Sequence, residues 1–594
     1  MSKAPRILLL TPPFTQLNAP YPATAALAGY LRPLGATVFQ RDLSVETALR
    51  ILPRLGNPQT TAAALTYLRG RNPGAAHLLA RPGYLPLSDR AMESIAPSGS
   101  GLSPDESIEA SFGILGVSDR AKLFASLYLD DLAEEYRRNV DPDFGFSRYG
   151  ASLAESAPDF DAIVERLERR TETDSILEEL VRDALAESAP DHVGVTCPFP
   201  GTLLGAFRIA RAVRRIAPGV KTWLGGGYVS TELRSMEDER VFDFFDGLVF
   251  DEGYAPMAGI LGFGPMVRTM TRETAGSVPQ SAAEPCVPPF VAPDYKGLDL
   301  SLYFSMLEMA NPMHRLWSDG KWIKLQLARG CYWRKCAFCD VSLDYIGRFA
   351  MPRAGEIADA MERLADETGE TGFHFTDEAV PPALARALSK ELLRRGRVFS
   401  WWGNIRFEEE YAGPLAQLMA DAGCIAVTGG LECANDRLLS LMRKGITLEG
   451  ARRAMRAFAD AGILVHAYLM YAFPTQTLRE AVSALSFVRD RFAAGELHSA
   501  FFHRFALTVH SPVAAEPEKF GIEIDMPRKR AAKPRFALNE IGYREKSAPD
   551  WDAAGRALSL ALYNYNIGLG LDIPANEWFA GIPGARARRR KRVT

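Results

Sequence analysis

Between residues 322 and 512 six apolar, strand-like runs are separated by helical stretches that each end near a glycine or a turn. The runs are 322–328, 372–376, 399–407, 425–431, 464–473 and 499–509. Helical patterns at 356–367, 383–394, 415–422, 448–461 and 478–492 separate them. Strands alternating with helices of this length pair in parallel, because each crossover returns the chain to the same end of the sheet. Six such units predict a parallel sheet curled into a partial (βα)6 barrel. Parallel βα architectures carry their chemistry on the loops that leave the C-terminal strand ends.

A second α/β unit precedes the barrel. Short apolar strands are expected at 6–10, 37–41, 192–196, 221–224 and 247–250, with helices at 23–34 and 203–216. This reads as a doubly wound, Rossmann-like domain over 1–260. The charged stretch from about 45 to 188 is far longer than an ordinary crossover, so it is expected to be a helical insertion. A linker over 261–318 includes the proline-rich segment 277–293. The barrel then covers 319–512, and 513–594 is a cap ending in a basic tail. A chain of 594 residues is too long for a single core.

Composition excludes some function classes. A net charge of −3 argues against a general nucleic-acid binder. No apolar run is long enough to span a bilayer, and the first residues lead into a strand without a signal-peptide pattern. A cytoplasmic protein is expected. The run Arg586-Ala-Arg588-Arg589-Arg590-Lys591-Arg592 reads as a solvated tail, with an RNA or acidic partner as the alternative.

The loop after the first barrel strand holds Cys331-Tyr-Trp-Arg-Lys-Cys336-Ala-Phe-Cys339, opened by Gly330. Three thiolates on one short loop can converge on one metal centre. Structural zinc and passive electron-transfer clusters normally take four protein ligands. A 4Fe–4S cluster held by three leaves one iron open. The alternative is a zinc loop that borrows Asp340 or a distant histidine. Cys197, Cys286, Cys424 and Cys433 are scattered singly, which gives neither a disulfide framework nor a second triad.

A three-cysteine loop at the end of a first βα strand resembles the radical S-adenosylmethionine (radical SAM) family. The family's usual spacing is CxxxCxxC, whereas this chain has CxxxxCxxC. Three further stretches resemble family signatures. Gly372-Phe-His-Phe-Thr-Asp377-Glu378 ends the second strand, where the resemblance implies an acid that takes the methionine amino group of S-adenosylmethionine. Gly429-Gly430-Leu-Glu432-Cys433 resembles the fourth-strand motif whose acid binds the ribose, with cysteine replacing serine. Downstream, Arg443-Lys444-Gly445 places a basic residue, Lys444, to meet the carboxylate. Tyr471-Ala-Phe-Pro474-Thr-Gln-Thr477 matches the fifth-strand Gly-x-Pro-x-x-Thr turn, with alanine for glycine. Taken singly, such acids are as well explained as helix caps, Asp436 above all. Trp401, Trp402 and Arg406 are candidates to line the cavity, the two tryptophans being better explained as core.

The N-terminal loops resemble those of cobalamin-binding domains fused to radical SAM enzymes. Gln16, Asn18, Tyr21 and Thr24 follow the first strand, and Pro198 and Gly201 the third. Gly225-Gly226-Gly227-Tyr228 follow the fourth, and Asp251-Glu252-Gly253-Tyr254 the fifth. In open α/β sheets ligands settle on such loops at the switch point, and consecutive glycines let backbone approach a flat macrocycle. No histidine precedes His77, so this loop offers cobalt no imidazole; Tyr21, Gln16 or Asn18 is expected to cover the lower face. A doubly wound domain without cobalamin is the alternative.

Together the resemblances imply a cobalamin-dependent radical SAM methyltransferase with a 4Fe–4S cluster and S-adenosylmethionine. It would act on an unactivated carbon of a small-molecule or peptide substrate, fed by a donor such as flavodoxin or ferredoxin. A radical rearrangement or cyclisation enzyme and a non-catalytic metal scaffold are the rival readings.

Overall fold

A computed structural model describes residues 4–13, 15–95, 103–112, 116–146, 159–278, 287–319, 321–525, 534–546 and 548–584. Phe14, Cys286, most of the proline-rich segment's first half and the basic run 586–592 lie outside them.

The N-terminal sheet contains β1 (Arg6–Thr11), β2 (Thr37–Asp42), β3 (His192–Thr196), β4 (Lys221–Gly225), β5 (Gly247–Val249) and β6 (Thr269–Met270). Their order is β2-β1-β3-β4-β5-β6, parallel except for β6. Ile7, Leu8, Leu9 and Leu10 of β1 are all buried, because helices cover both faces. Leu8 and Leu10 pack with the helices Glu172–Ser188 and Leu203–Ile216, whereas Ile7 and Leu9 pack under Pro22–Leu31 and Tyr254–Ile260.

Two features differ from the sequence reading. The sheet continues past residue 260, because antiparallel β6 pairs with β5. The stretch 45–188 is not all insertion. A parallel β2–β3 connection needs a helix laid on the sheet, and the apolar stripe Ile176, Leu177, Leu180, Val181 and Ala184 makes Glu172–Ser188 that helix. The separate helical core is narrower. It gathers Ala64, Leu68, Leu79, Phe124 and Leu129, and it takes in Tyr303, Phe304 and Leu307 from the expected linker.

The second sheet contains β7 (Ile323–Leu325), β8 (Gly372–Phe375), β9 (Ser400–Ile405), β10 (Cys424–Glu432), β11 (Leu464–Tyr471) and β12 (Ser499–Arg504). These six parallel strands are paired in chain order. Helices Ala354–Thr368, Pro382–Arg395, Pro414–Asp421, Leu448–Asp460 and Leu478–Ala493 return the chain outside them. Ile357, Leu388, Met419, Met455 and Leu485 from those helices join the same core as Phe373, Val427 and Val465. A helix at Pro312–Ser318 crosses β11 and β12. The open edge of β12 is met by the helix Trp551–Asn566. There the Ala500 N–H donates to Asn566 Oδ1 at 3.0 Å, and Asn566 Nδ2 donates to the Ala500 carbonyl at 3.2 Å. An antiparallel pair, β13 (Ile522–Asp525) and β14 (Gly542–Glu545), lies beyond the barrel. No described helix is long and apolar enough to cross a membrane.

Candidate active site between the two domains

The strand-end loops of both sheets border one cavity of about 2570 Å³. Ordinary small-molecule pockets run from about 300 to 1,000 Å³, so this space suits more than one ligand. Ion pairs hold the walls together. Arg329, just ahead of the cysteine loop, pairs with Glu252 at the end of β5 (Nε to Oε1, 2.6 Å). Arg268 reaches Asp251 at 3.4 Å and Asp344 at 3.0 Å.

Cys331, Cys336 and Cys339 all line this cavity. Gly330 has φ +69°, and a Cβ there would lie 2.3 Å from the Arg348 carbonyl oxygen, so the turn into the loop requires glycine. The loop is fastened on both sides. Cys331 N–H donates to Ile346 O at 3.1 Å, Ala337 N–H to Met442 O at 2.8 Å, and Val513 N–H to Ala337 O at 3.0 Å. Within the first gap Arg334 has φ +52°. Trp333 packs on Gly445, donates to Arg443 O at 2.8 Å, and lies 4.4 Å beneath the Arg406 guanidinium. A hydrogen bond from the Cys339 thiol lowers the Cys336 thiol to about 6, with Lys444 and Arg406 acting in the same direction against burial. The Cys339 thiol is raised by that same pairing and by burial. Among the described residues no three metal-ligating side chains are drawn together as a single ion would need. Cys331, Cys336 and Cys339 would be the ligands of an iron–sulfur cluster here, and it would supply one-electron chemistry.

Of the acids closing β8, only Glu378 reaches the cavity, and burial raises its carboxyl. Asp377 turns the other way, contrary to its placement in the pocket by sequence. Its carboxylate accepts from Leu327 N–H at 2.8 Å and Ala328 N–H at 2.6 Å, tying the start of the cysteine loop to β8. Burial pushes its carboxyl up to about 7 against those two hydrogen bonds. Glu432 ends β10 at a bulge with φ +64°, and accepts from Lys444 Nζ at 2.7 Å. Both are buried and both line the cavity, and the Lys444 ammonium is raised by Glu432 and Cys336 despite its burial. Gly430 makes room for them, since a Cβ there would lie 2.2 Å from Glu432 Oε1. Arg406 extends the network, 3.9 Å from Cys336 Sγ and 2.8 Å from Glu408 Oε1. Pro474 stays out of the cavity wall, in a turn where Ala472 and Thr475 have φ of +63° and +71°.

On the N-terminal wall, Gln16, Asn18, Tyr21, Thr24 and Gly225 to Gly227 line the cavity, whereas Pro198, Gly201 and Tyr228 do not. Tyr228 is buried in the core behind the sheet. The Gln16 amide is tied to Ala19 O at 2.5 Å and the Asn18 amide to Trp317 O at 2.9 Å, while Tyr21 meets Phe199 edge-on. Gly226 has φ +115°, and a Cβ would strike the Cys197 backbone at 2.6–2.8 Å. The Thr24 and Thr196 hydroxyls are buried without a partner, and both border the cavity.

Sequence reasoning missed most of the barrel floor. Trp401 is core, stacked on Phe375, but Trp402 lines the cavity. Its ring stacks on His374 at 3.5 Å and 7°. Lys324, on the first strand, donates from Nζ to His374 Nδ1 at 2.7 Å. The signal was there, since Lys324 interrupts an otherwise apolar strand.

The six parallel strands and the three cysteines on the first loop resemble radical SAM architecture. Residues 325–488 match the profile of the Radical SAM superfamily. The chain is 23% identical over 311 residues to an uncharacterized methyltransferase of Pyrococcus horikoshii, covering 50% of this chain and 64% of that one. It is 25% identical over 338 residues to the anaerobic magnesium-protoporphyrin IX monomethyl ester cyclase of Rubrivivax gelatinosus, covering 54% and 57%. It thus spans less than two thirds of the length of either curated relative. Among solved structures, the radical SAM methyltransferase TsrM from Kitasatospora setae, with cobalamin and a [4Fe-4S] cluster bound, aligns with a TM-score of 0.53. Identity is 17%, over 94% of this chain and 91% of that one, which shows a shared fold.

Proposed function

We propose that this chain is a cobalamin-dependent radical SAM methyltransferase acting on an unactivated carbon of a small-molecule or peptide substrate. The observation that carries the reading is a single large cavity with a three-cysteine loop on one wall and a glycine cradle on the other. When bound, the cluster supplies an electron to cleave S-adenosylmethionine and cobalamin supplies the methyl group. Cys331, Cys336 and Cys339 would ligate the cluster, with Arg406 and Lys444 offsetting its negative charge. Glu378 would take the amino group of S-adenosylmethionine and Glu432 its ribose, with Lys444 near the carboxylate. Asp377 would hold the loop in place, and Pro474 would shape the turn behind the pocket. Gly225, Gly226 and Gly227 would let backbone approach the corrin, while the Thr24 and Thr196 hydroxyls offer it hydrogen bonds. The loop of Gln16, Asn18 and Tyr21 would cover the lower face of cobalt. A flavodoxin- or ferredoxin-like donor in a reducing cytoplasm completes the reading.

The relative named as a cyclase favours a second reading, radical cyclisation or rearrangement. One experiment separates them. Anaerobically reconstituted protein, loaded with cobalamin and given reductant and S-adenosylmethionine labelled in its methyl group, should move label to cobalamin and release S-adenosylhomocysteine. The same protein should also release 5′-deoxyadenosine, and Cys331→Ala, Cys336→Ala and Cys339→Ala should each abolish that release. Cleavage to 5′-deoxyadenosine with cobalamin left unlabelled would move the assignment to cyclisation or rearrangement.

A further inference from the structure

The interior of the barrel changes character with depth. One layer below the mouth, polar groups satisfy one another. Thr428 bonds to Asn404, Asn404 Nδ2 donates to Asp377 O at 2.9 Å, and His466 Nδ1 pairs with Ser499 Oγ at 3.0 Å. At the other ring nitrogen of His466 and one step deeper they do not. Trp317 Nε1, Trp402 Nε1 and His466 Nε2 are each buried without a hydrogen-bond partner. Their rings are neighbours, with Trp317 centred 6.4 Å from Trp402 and 4.8 Å from His466. Lys324 Nζ lies 5.8 Å from the Trp402 ring. Its one hydrogen bond, to His374, leaves two of the three ammonium donor positions unused. All four groups border the cavity, and Lys324, Trp402 and His466 are each less than a tenth exposed.

We propose that this floor is an oxyanion site, where Lys324, Trp402, Trp317 and His466 hold a carboxylate or phosphoryl group of the substrate. Each buried donor left unpaired costs about 1–3 kcal/mol, and native folds hold few of them. Three such groups gathered beside a half-used buried ammonium point to a ligand that pairs them together. No carboxylate of the protein is paired with Lys324 among the described residues, which leaves its place for a counter-charge open to a ligand. Burial alone lowers the Lys324 ammonium to about 7, with no acid near enough to oppose the shift, and an anion on Nζ would reverse it. His374 fixes the plane of the Trp402 indole by stacking on it and remains neutral, held there by burial and by Lys324. Water can serve these donors between turnovers, and an oxyanion of matching size replaces it.

That the anion belongs to the substrate rests on the proposed reading of the barrel as a reaction chamber; that the floor takes an anion does not. The test therefore uses neither S-adenosylmethionine nor turnover. Thermal midpoints of the full-length reconstituted protein are followed during titration with sodium acetate or sodium phosphate, against sodium chloride at equal ionic strength. In the wild type the midpoint should climb and saturate with acetate if the group is a carboxylate, or with phosphate if it is a phosphoryl. Lys324→Met should start from a higher midpoint, because it removes an uncompensated amine, and should show no such climb. Trp402→Phe keeps the ring and loses the N–H, so it should weaken the anion's apparent affinity about tenfold and serves where Lys324→Met fails to fold. Equal responses in wild type and both variants, or no saturable response in the wild type, overturn the proposal.

Discussion

On the barrel side of the cavity, Lys444 is bonded to Glu432, and Arg406 is bonded to Glu408 and the Lys444 carbonyl and lies 3.9 Å from Cys336 Sγ. On the N-terminal side, Gly225, Gly226 and Gly227 present bare backbone, and two threonine hydroxyls wait without partners. The first wall is prepared by charge placed in advance, in a setting of low dielectric where it acts strongly. The second is prepared by removing side chains, so that a flat ligand can lie close. On the proposed reading the first wall serves sulfonium cleavage, which needs fixed electrostatics, and the second holds a corrin, which needs area and shape. The difference between the walls matches the difference between those tasks.

The comparison can be broken most forcefully at Glu432. Glu432→Gln leaves a charged Lys444 buried without its partner, and should cost about 3–5 kcal/mol in chemical denaturation. Affinity for S-adenosylmethionine should fall while cobalamin is retained. Adding Lys444→Met should recover most of the stability, and no recovery would show that the ion pair is not what Glu432 contributes. Gly226→Ala attacks the other wall. The positive φ and the clash with Cys197 should together cost about 3 kcal/mol, and cobalamin retention should drop while the iron content holds. Should Gly226→Ala instead spare cobalamin, the glycines would be serving the turn alone. The smallest effect sharpens the contrast. Ala472 is fully buried and strained at φ +63°, where the family turn has glycine. Ala472→Gly should raise stability by about 0.5–1 kcal/mol, and a lower thermal midpoint would mean that the lost methyl contacts outweigh the relief.

Elements were readable where periodicity carried them. The helix Leu203–Ile216 and the strands β3 and β8 fall within a residue of their expected bounds, because apolar spacing there reflects burial on one known face. Positions within the site were readable only as far as the motifs ran. Asp377 and Glu378 are adjacent and chemically alike, so nothing in the sequence tells which side chain turns toward the ligand and which bonds the backbone of the loop beside it. Tyr228 follows three glycines of the cradle, yet the helix that starts at Gly227 turns its ring into the core. Only part of the floor was legible, in Trp402 and in the lysine that interrupts the first strand, because Trp317 and His466 are far apart in sequence and only the crossing of Pro312–Ser318 over β11 brings them together. The division of the first third was misjudged at its far edge, since a helix laid on a sheet and a helix in an insertion carry the same pattern.

The Asn566 side chain meets Ala500 through the same pair of groups that another strand would offer, so one amide substitutes for a strand that the barrel lacks. This sets an order of assembly. A ribosome delivers all six strands before it delivers Asn566, so the edge of β12 remains bare until the helix Trp551–Asn566 has emerged and folded back. A chain cut short ahead of that helix would carry an open strand edge beside an unsealed chamber, and a bare edge is a template for pairing with other chains. The last helix thus acts as a closing seam, and the newborn protein is most exposed to its own kind just before that seam is drawn.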